Sequence, residues 1–182
     1  MTPNELIIAQ TEKWIKDVVI GCNFCPFAPK PLKEKRIHFE VDTSLQVSQT
    51  LASFLNQCIY LDEDKNIETT LLILPDSYKD FNDYLDLVYR AEKLIRKKGY
   101  EGIYQVASFH PLYVFDGSAL DDPSNFTNRS PYPMLHVLRE EKIEEALLHY
   151  PHPETIPENN IKFSRERGYE YMKMLRDNSL KI

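Results

Sequence analysis

Three short runs, the first alternating between apolar and polar residues and the other two richer in apolar residues, alternate with two longer segments of helical periodicity in the first two thirds of the chain. The runs are Ile37–Val41, 69–74 and 103–109, and between them apolar residues recur every three or four positions. The middle run is almost wholly apolar and ends at Pro75, which is typical of a strand buried on both faces. Residues 113–115 could add a fourth strand. This order predicts an α/β fold with a βαβαβ core and a central, mostly parallel sheet of three to four strands.

Helical segments flank this core on both sides. Thr2 and Glu5 have the spacing of a capping box and predict an N-terminal helix that runs to Gly21. Residues 134–150 and 158–177 predict two C-terminal helices. With 182 residues, of which 42% are hydrophobic, the chain is the size of one ordinary domain. We therefore expect residues 1–182 to form a single domain.

Charge and cysteine content indicate a soluble intracellular protein. The formal charge is −6, from 28 acidic and 22 basic residues, which argues against a nucleic-acid partner or an anionic membrane surface. No stretch approaches the roughly 18 apolar residues of a membrane span, and the N-terminus lacks the pattern of a secretion signal. The three cysteines are too few for a disulfide scaffold, so we expect reduced thiols and a cytoplasmic location.

His110 is the first candidate for a functional residue. If the three strands are parallel, their carboxyl ends share one edge of the sheet, and open α/β sheets bind ligands at that edge. His110 follows directly after the third run and precedes Pro111, which restricts its backbone. It is therefore a candidate general base. The alternative is a structural role, in which His110 makes a hydrogen bond that stabilises a turn.

Cys25 is the second candidate, in a proline-rich turn after the first helix. A thiol nucleophile needs a base or cation nearby, and His110 is the best candidate for that base. A small buried hydrophobic role explains Cys25 equally well. Cys22 lies three residues earlier, but the pair follows a helix and runs into Pro26, unlike a redox motif. A closed metal site would need Cys22, Cys25, His110 and His136 to converge from distant places.

The segment 125–140 carries the densest group of polar side chains. Arg129 and Arg139 could grip a carboxylate or a phosphate through paired hydrogen bonds. If Pro133 starts a helix, His136 and Glu140 share one face of it, with Arg139 close by. The alternative is that Arg129 braces the loop by binding backbone carbonyls and that Arg139 and Glu140 are helix-surface charges.

An ordered series of motifs resembles the bacterial domain of unknown function 1415 family. The motifs are Cys25-Pro-Phe-Ala28, Thr70-Leu-Leu-Ile-Leu-Pro75, Val106-Ala-Ser-Phe-His-Pro111 and Asn128-Arg-Ser-Pro-Tyr-Pro133 with Leu135-His136 and Leu138-Arg-Glu140. The resemblance implies that the following positions match the family's motif residues: Cys25, His110, Asn128, Arg129, Ser130, Tyr132, His136, Arg139 and Glu140. Leucine is usual in the family where this chain has Cys22. The resemblance does not imply any particular activity for this chain.

Three functional hypotheses follow. The first is an enzyme, a hydrolase or group transferase, that acts on a small polar or anionic molecule. Its catalytic residues would be Cys25, His110 and His136, and its substrate-binding residues would be Asn128, Arg129, Ser130, Tyr132, Arg139 and Glu140. The second is a non-catalytic module that binds a small ligand or a partner. The third is a structural metal-binding protein, with a divalent metal held by Cys22, Cys25, His110 and His136.

Overall fold

A four-stranded sheet and seven α-helices make up the computed structural model, which describes residues 1–182. The strands are β1 (Ile37–Val41), β2 (Thr69–Ile73), β3 (Tyr104–Phe109) and β4 (Met134–Arg139). The helices are α1 (Pro3–Trp14), α2 (Pro29–Lys33), α3 (Val47–Glu63), α4 (Phe81–Lys97), α5 (Glu140–Leu148), α6 (Ile156–Arg167) and α7 (Tyr169–Asn178). A π-helical segment, Ile15–Ile20, continues α1, and short 3₁₀ helices occupy Pro123–Thr127 and Pro153–Thr155.

The sheet is mixed, with the strand order β1-β2-β4-β3. β1 pairs with β2 in parallel, whereas β4 is antiparallel to both of its neighbours, β2 and β3. The expected α/β class is confirmed, but the prediction of a mostly parallel sheet is wrong because β4 lies between β2 and β3. The two reversals at β4 leave β1, β2 and β3 pointing the same way, so their carboxyl ends still share one edge.

β4 occupies residues that the sequence pattern assigned to a helix. The predicted helix over 134–150 begins only at Glu140, because residues 134–139 pair with strands on both sides. Tertiary pairing here outweighs the local pattern, as is common for apolar segments in a central strand. The predicted polar helix face therefore does not form. In a strand, His136 and Arg139 are three residues apart and point to opposite faces of the sheet.

Two further expectations about the second half of the chain are wrong. Residues 113–115 belong to the long connection between β3 and β4 and form no strand. The single helix predicted for residues 158–177 is two helices, α6 and α7, which are separated by Gly168. Gly168 has φ 83° and ψ 162°, a conformation that is essentially restricted to glycine. The N-terminal region thus carries one long helical segment and the C-terminal region three helices.

The sheet separates two apolar cores. On what we call the α3–α4 face, side chains of those helices cover one side of β2 and β4, with Phe54, Leu61, Tyr84, Leu87, Leu72, Leu74, Leu135 and Val137 fully buried. On the α1–α7 face, residues of both terminal regions cover the other side, including Trp14, Val18, Leu71, Ile73, Met134 and Met172. Adjacent β2 residues alternate between the cores, as the pleat of a strand requires.

The N-terminal helix begins as predicted. The Thr2 hydroxyl accepts the backbone N–H of Glu5, and the Glu5 carboxylate accepts the backbone N–H of Thr2 at 2.7 Å. The π-helical continuation then carries the chain across the α1–α7 face to the turn that contains Cys25. Across the whole fold, the helices are each too short or too polar to cross a membrane.

Candidate functional site

His110 lies at the end of β3, as predicted, and both of its ring nitrogens have partners. Nδ1 accepts a hydrogen bond from the backbone N–H of Leu112 at 3.0 Å, so the ring proton is on Nε2. The Nε2–H group donates a hydrogen bond to the Tyr78 carbonyl at 2.8 Å. The ring is fully buried between Phe81 and Tyr84, with centroid distances of 5.2 and 4.9 Å. Burial lowers the pKa of His110. The residue is thus a neutral imidazole that ties β3 to the loop before α4.

Cys25 lies on the other side of the sheet. It packs against the core of the α1–α7 face, together with Phe109. Phe109 contacts the Trp14 ring at a centroid distance of 5.2 Å and immediately precedes His110. Because successive strand residues point to opposite faces, Phe109 points toward Cys25's core and His110 away from it. The structure therefore does not bring the predicted nucleophile and its predicted base together.

The Cys25 thiol is influenced by backbone groups and not by an imidazole. The backbone N–H groups of Phe27 and Ala28, in the turn that leads into α2, lower the pKa of the thiol, and the Ala28 N–H donates to the Cys25 backbone carbonyl at 3.2 Å. Burial raises the pKa of the Cys25 thiol, and this effect exceeds the opposing influence of the two N–H groups. At neutral pH the group is therefore mainly a thiol and not a thiolate.

Cys25 lines a cleft of about 550 Å³ between its own turn, the β3–β4 connection and α6. We call this space the Cys25 cleft. The apolar residues of its lining are Val19, Phe24, Phe109, Phe115, Pro157 and Ile161. The polar residues of its lining are Asp116, Ser118, Ser124, Thr127, Asn128, Asn160 and Arg165. A cleft of this volume is large enough to hold a small molecule.

Two side-chain contacts hold the walls of the Cys25 cleft together. Arg165 in α6 donates from Nε and Nη2 to the two carboxylate oxygens of Asp122, at 3.2 and 2.7 Å. Asp122 also caps the 3₁₀ helix that follows it, and these contacts hold the pKa of its carboxyl well below the usual range. Asn160 in α6 donates from Nδ2 to the Phe24 carbonyl at 2.9 Å. The helix, the loop and the cysteine turn are thus joined around the cleft.

Arg129 is buried and binds the loop from inside. Nε donates to the Tyr113 carbonyl at 2.9 Å and Nη2 to the Leu120 carbonyl at 2.8 Å. Its guanidinium carbon lies 4.9 Å from the centroid of the Phe126 ring, within cation–π distance. These contacts match the bracing role that the sequence left open, and they occupy the groups that a substrate carboxylate would need.

Arg139 is also buried, on the α3–α4 face. Its guanidinium donates to the carbonyls of Leu61, Asp64 and Ile67, with distances of 3.1 Å to Asp64 and 3.0 Å to Ile67. A longer contact, 3.3 Å, reaches the Tyr104 hydroxyl. Because the last carbonyls of a helix have no partner within it, Arg139 acts as a side-chain cap for the end of α3.

His136 points to the α1–α7 face from the middle of β4. Its Nε2 lies 2.6 Å from the Thr69 hydroxyl, which itself donates to the Val137 carbonyl. The hydroxyl therefore accepts from Nε2–H, which fixes the neutral tautomer. Burial lowers the pKa of His136 to about 4. His136 shares a core with Cys25 but does not line the Cys25 cleft.

Asn128 is the predicted substrate-binding residue that does line the cleft with Cys25. Its side-chain Nδ2 donates to the Ser108 backbone carbonyl at 3.1 Å, and its own backbone carbonyl accepts a hydrogen bond from the backbone N–H of His110 at 3.2 Å. Asn128 therefore fixes the loop against the end of β3 and also forms part of the cleft wall.

The other three predicted substrate-binding residues lie outside the cleft. The Ser130 hydroxyl donates to the Tyr132 carbonyl, and the Tyr132 hydroxyl donates to the Gln10 side chain in α1. Glu140 begins α5, and its backbone N–H donates to the Ile103 carbonyl at 3.0 Å. These contacts stabilise the entry and exit of β4.

The predicted four-ligand metal site does not form. Cys22 is 7% exposed and packs in the core of the α1–α7 face, whereas His110 is on the opposite face. No group of three or more His, Cys, Asp or Glu side chains is arranged to hold a metal ion. Cys22, Cys25 and Cys58 are free cysteines, and burial raises the pKa of each thiol.

Several cleft residues were not identified from the sequence. Phe115 and Asp116 lie in the long connection, whose length and turn-forming composition are a general sign of function. Asn160 and Arg165 lie in α6, where the sequence resembles an ordinary surface helix. Only the three-dimensional contact of α6 with the loop reveals their part in the cleft.

Fold and site together define an α/β protein with a mixed sheet and a thiol-bearing cleft beside it. The chain belongs to the family described as protein of unknown function (DUF1415), whose family model matches residues 6–174. This confirms the family resemblance seen in the motifs. No curated relative and no solved structure matches the chain.

Proposed function

We propose that the protein binds a small organic molecule in the Cys25 cleft. The observation that carries this proposal is the cleft itself, about 550 Å³ in volume, whose lining includes both aromatic residues and residues with hydrogen-bonding side chains. The groups expected to bind an anion, Arg129 and Arg139, are occupied by backbone carbonyls elsewhere. A ligand-binding module is thus better supported than an enzyme that uses all the catalytic residues expected from the sequence.

A second candidate function is catalysis through Cys25, as a hydrolase or group transferase. It is favoured by the position of the thiol in the cleft lining and by the Phe27 and Ala28 N–H groups, which lower its pKa against the larger effect of burial. His110 is not the base in this proposal, because its ring nitrogens are committed to Tyr78 and Leu112. In this proposal the thiol proton passes to the leaving group of the substrate as the sulfur attacks.

The experiment that tests the first proposal is a fragment screen followed by ¹H–¹⁵N NMR on the full-length protein. Ligands of the cleft should shift the backbone amides of Ser118, Ser124 and Thr127 and the side-chain amides of Asn128 and Asn160. A matched variant, Phe115→Ala, should weaken these ligands because it removes one aromatic residue of the lining. Fragments that shift only residues remote from the cleft would refute the proposal.

The screen also separates the two candidates. A bound molecule that is recovered unchanged after long incubation supports the module, whereas one that is converted by wild type and not by Cys25→Ser supports the enzyme. We further propose a bacterial, cytoplasmic protein whose partner is a small molecule and not a nucleic acid or a membrane, in line with the free thiols and the net charge of −6.

A further inference from the structure

The Cys25 cleft has one charged side chain that is not part of an ion pair. Asp116 and Arg165 are the two charged side chains that line it. Arg165 donates hydrogen bonds from Nε and Nη2 to the carboxylate of Asp122, and the charge of that carboxylate balances the positive charge of Arg165. Asp116 is exposed at the mouth of the cleft and is not part of an ion pair. One negative charge therefore remains for a ligand to meet.

Asp116 is the one side chain of the cleft that only accepts hydrogen bonds, because its carboxylate has no donor. Asn160 and Asn128 each donate one Nδ2–H, to the Phe24 and Ser108 carbonyls, and so keep a second N–H donor. The Oδ1 of Asn128 accepts from the Thr127 hydroxyl at 3.4 Å. Asp116 is therefore the group that favours a ligand with donors, and an ammonium group brings three donors and no acceptor.

The aromatic residues of the lining point to the same class of ligand. Phe24, Phe109 and Phe115 are three of the residues that line the cleft. Aromatic side chains stack on flat apolar groups, and the negative faces of their rings attract cations and disfavour anions.

We infer that the Cys25 cleft selects a ligand that combines a flat apolar group with a protonated amine, and that Asp116 determines this specificity. The inference rests on the proposed ligand-binding function and names the chemical class of its ligand. It replaces the anionic substrate expected from Arg129 and Arg139, since neither guanidinium lines the cleft.

Three probes with the same ring test the inference: benzylamine, benzamide and benzoate. Each is titrated at pH 7 into ¹⁵N-labelled full-length protein, and affinity is read from the side-chain amides of Asn128 and Asn160. Benzylamine should bind about two- to fivefold tighter than benzamide, the range of an exposed ion pair, and benzoate should bind more weakly than either. Added salt should reduce the preference.

Two single substitutions complete the design. Asp116→Asn should abolish the preference for benzylamine over benzamide, whereas Asp121→Asn, at an exposed residue outside the cleft, should retain it. Benzoate as the tightest probe, or a preference that survives Asp116→Asn, would overturn the inference while leaving ligand binding intact. If none of the three probes shifts the cleft resonances, the proposed function fails together with this inference.

Discussion

His110 and Cys25 lie on opposite faces of the sheet, so neither side chain acts on the other. The His110 imidazole joins the Tyr78 carbonyl to the Leu112 N–H, while the pKa of the Cys25 thiol is raised by burial and lowered less by the N–H groups of its own turn. The two side chains that the sequence pattern pairs as nucleophile and base are therefore independent groups.

The first prediction concerns the reactivity of Cys25. Because burial raises the pKa of this thiol, its alkylation by iodoacetamide should accelerate only above the free-thiol pKa of about 8.5. His110→Gln should leave this pH profile unchanged. Mass spectrometry of the modified peptide gives the rate, and Cys25→Ser should remove most labelling since Cys22 and Cys58 are buried. Rapid labelling at pH 7 that depends on His110 would contradict this prediction.

The second prediction concerns stability in mild acid. The pKa of His136 is lowered to about 4, below the value of about 6.5 in an unfolded chain, so the unfolded state binds a proton first as the pH falls. Stability should therefore be lost between about pH 6.5 and pH 4. The loss from His136 at pH 4.5 should be on the order of 2 kcal/mol.

Urea unfolding of His136→Gln measures this contribution. The amide side chain keeps a donor for the Thr69 hydroxyl but has no titrating ring, so the variant should lose less stability than wild type between pH 7 and pH 4.5. His152→Asn is the control, because His152 is exposed and asparagine tolerates its left-handed backbone, φ 55°. An identical acid response in wild type and His136→Gln would rule out this account.

The third prediction concerns the buried guanidinium of Arg139. Arg139→Met keeps much of the volume but leaves the carbonyls of Leu61, Asp64 and Ile67 without their donor. The free energy of unfolding should fall by about 3 kcal/mol, on the order of 1 kcal/mol for each lost hydrogen bond. Arg96→Met at the exposed end of α4 should change it by less than about 0.5 kcal/mol. Equal effects of the two substitutions would exclude a capping role for Arg139.

The fourth prediction concerns the junction of α6 and α7. Gly168 has φ 83°, and a Cβ added there would meet nothing within 4 Å, so any cost of Gly168→Ala comes from backbone strain alone. The free energy of unfolding should fall by about 1–3 kcal/mol. Glu166→Ala, two residues earlier on the exposed side of α6, provides the comparison. A neutral Gly168→Ala would mean that the junction relaxes without cost.

The fold was predictable from sequence where local signals agree with the final packing. The capping box at Thr2 and the apolar run of β2 both predict elements that the structure contains. β4 was not predictable because its six residues have no strand alternation, and their conformation depends on β2 and β3 on either side. The same insertion makes the sheet mixed.

The candidate site was predictable in part. Cys25 and Asn128 do line one cleft, whereas His110, Arg129 and Arg139 have side chains occupied by backbone groups. Polar residue types at suggestive places are equally suited to stabilising loops and to binding ligands, and sequence alone does not distinguish the two uses. Arg165 and Asn160 carried no local signal, because their role arises only when α6 meets the loop.

The bonds that Arg129 makes inside the long connection affect the thermodynamics of binding. Since the carbonyls of Tyr113 and Leu120 are already held, the loop that carries Phe115 and Asp116 has given up its conformational entropy during folding. A ligand that enters the Cys25 cleft therefore does not have to order this wall, and more of its contact energy remains as affinity. We expect the association rate of such a ligand to be set by diffusion and desolvation and not by loop closure.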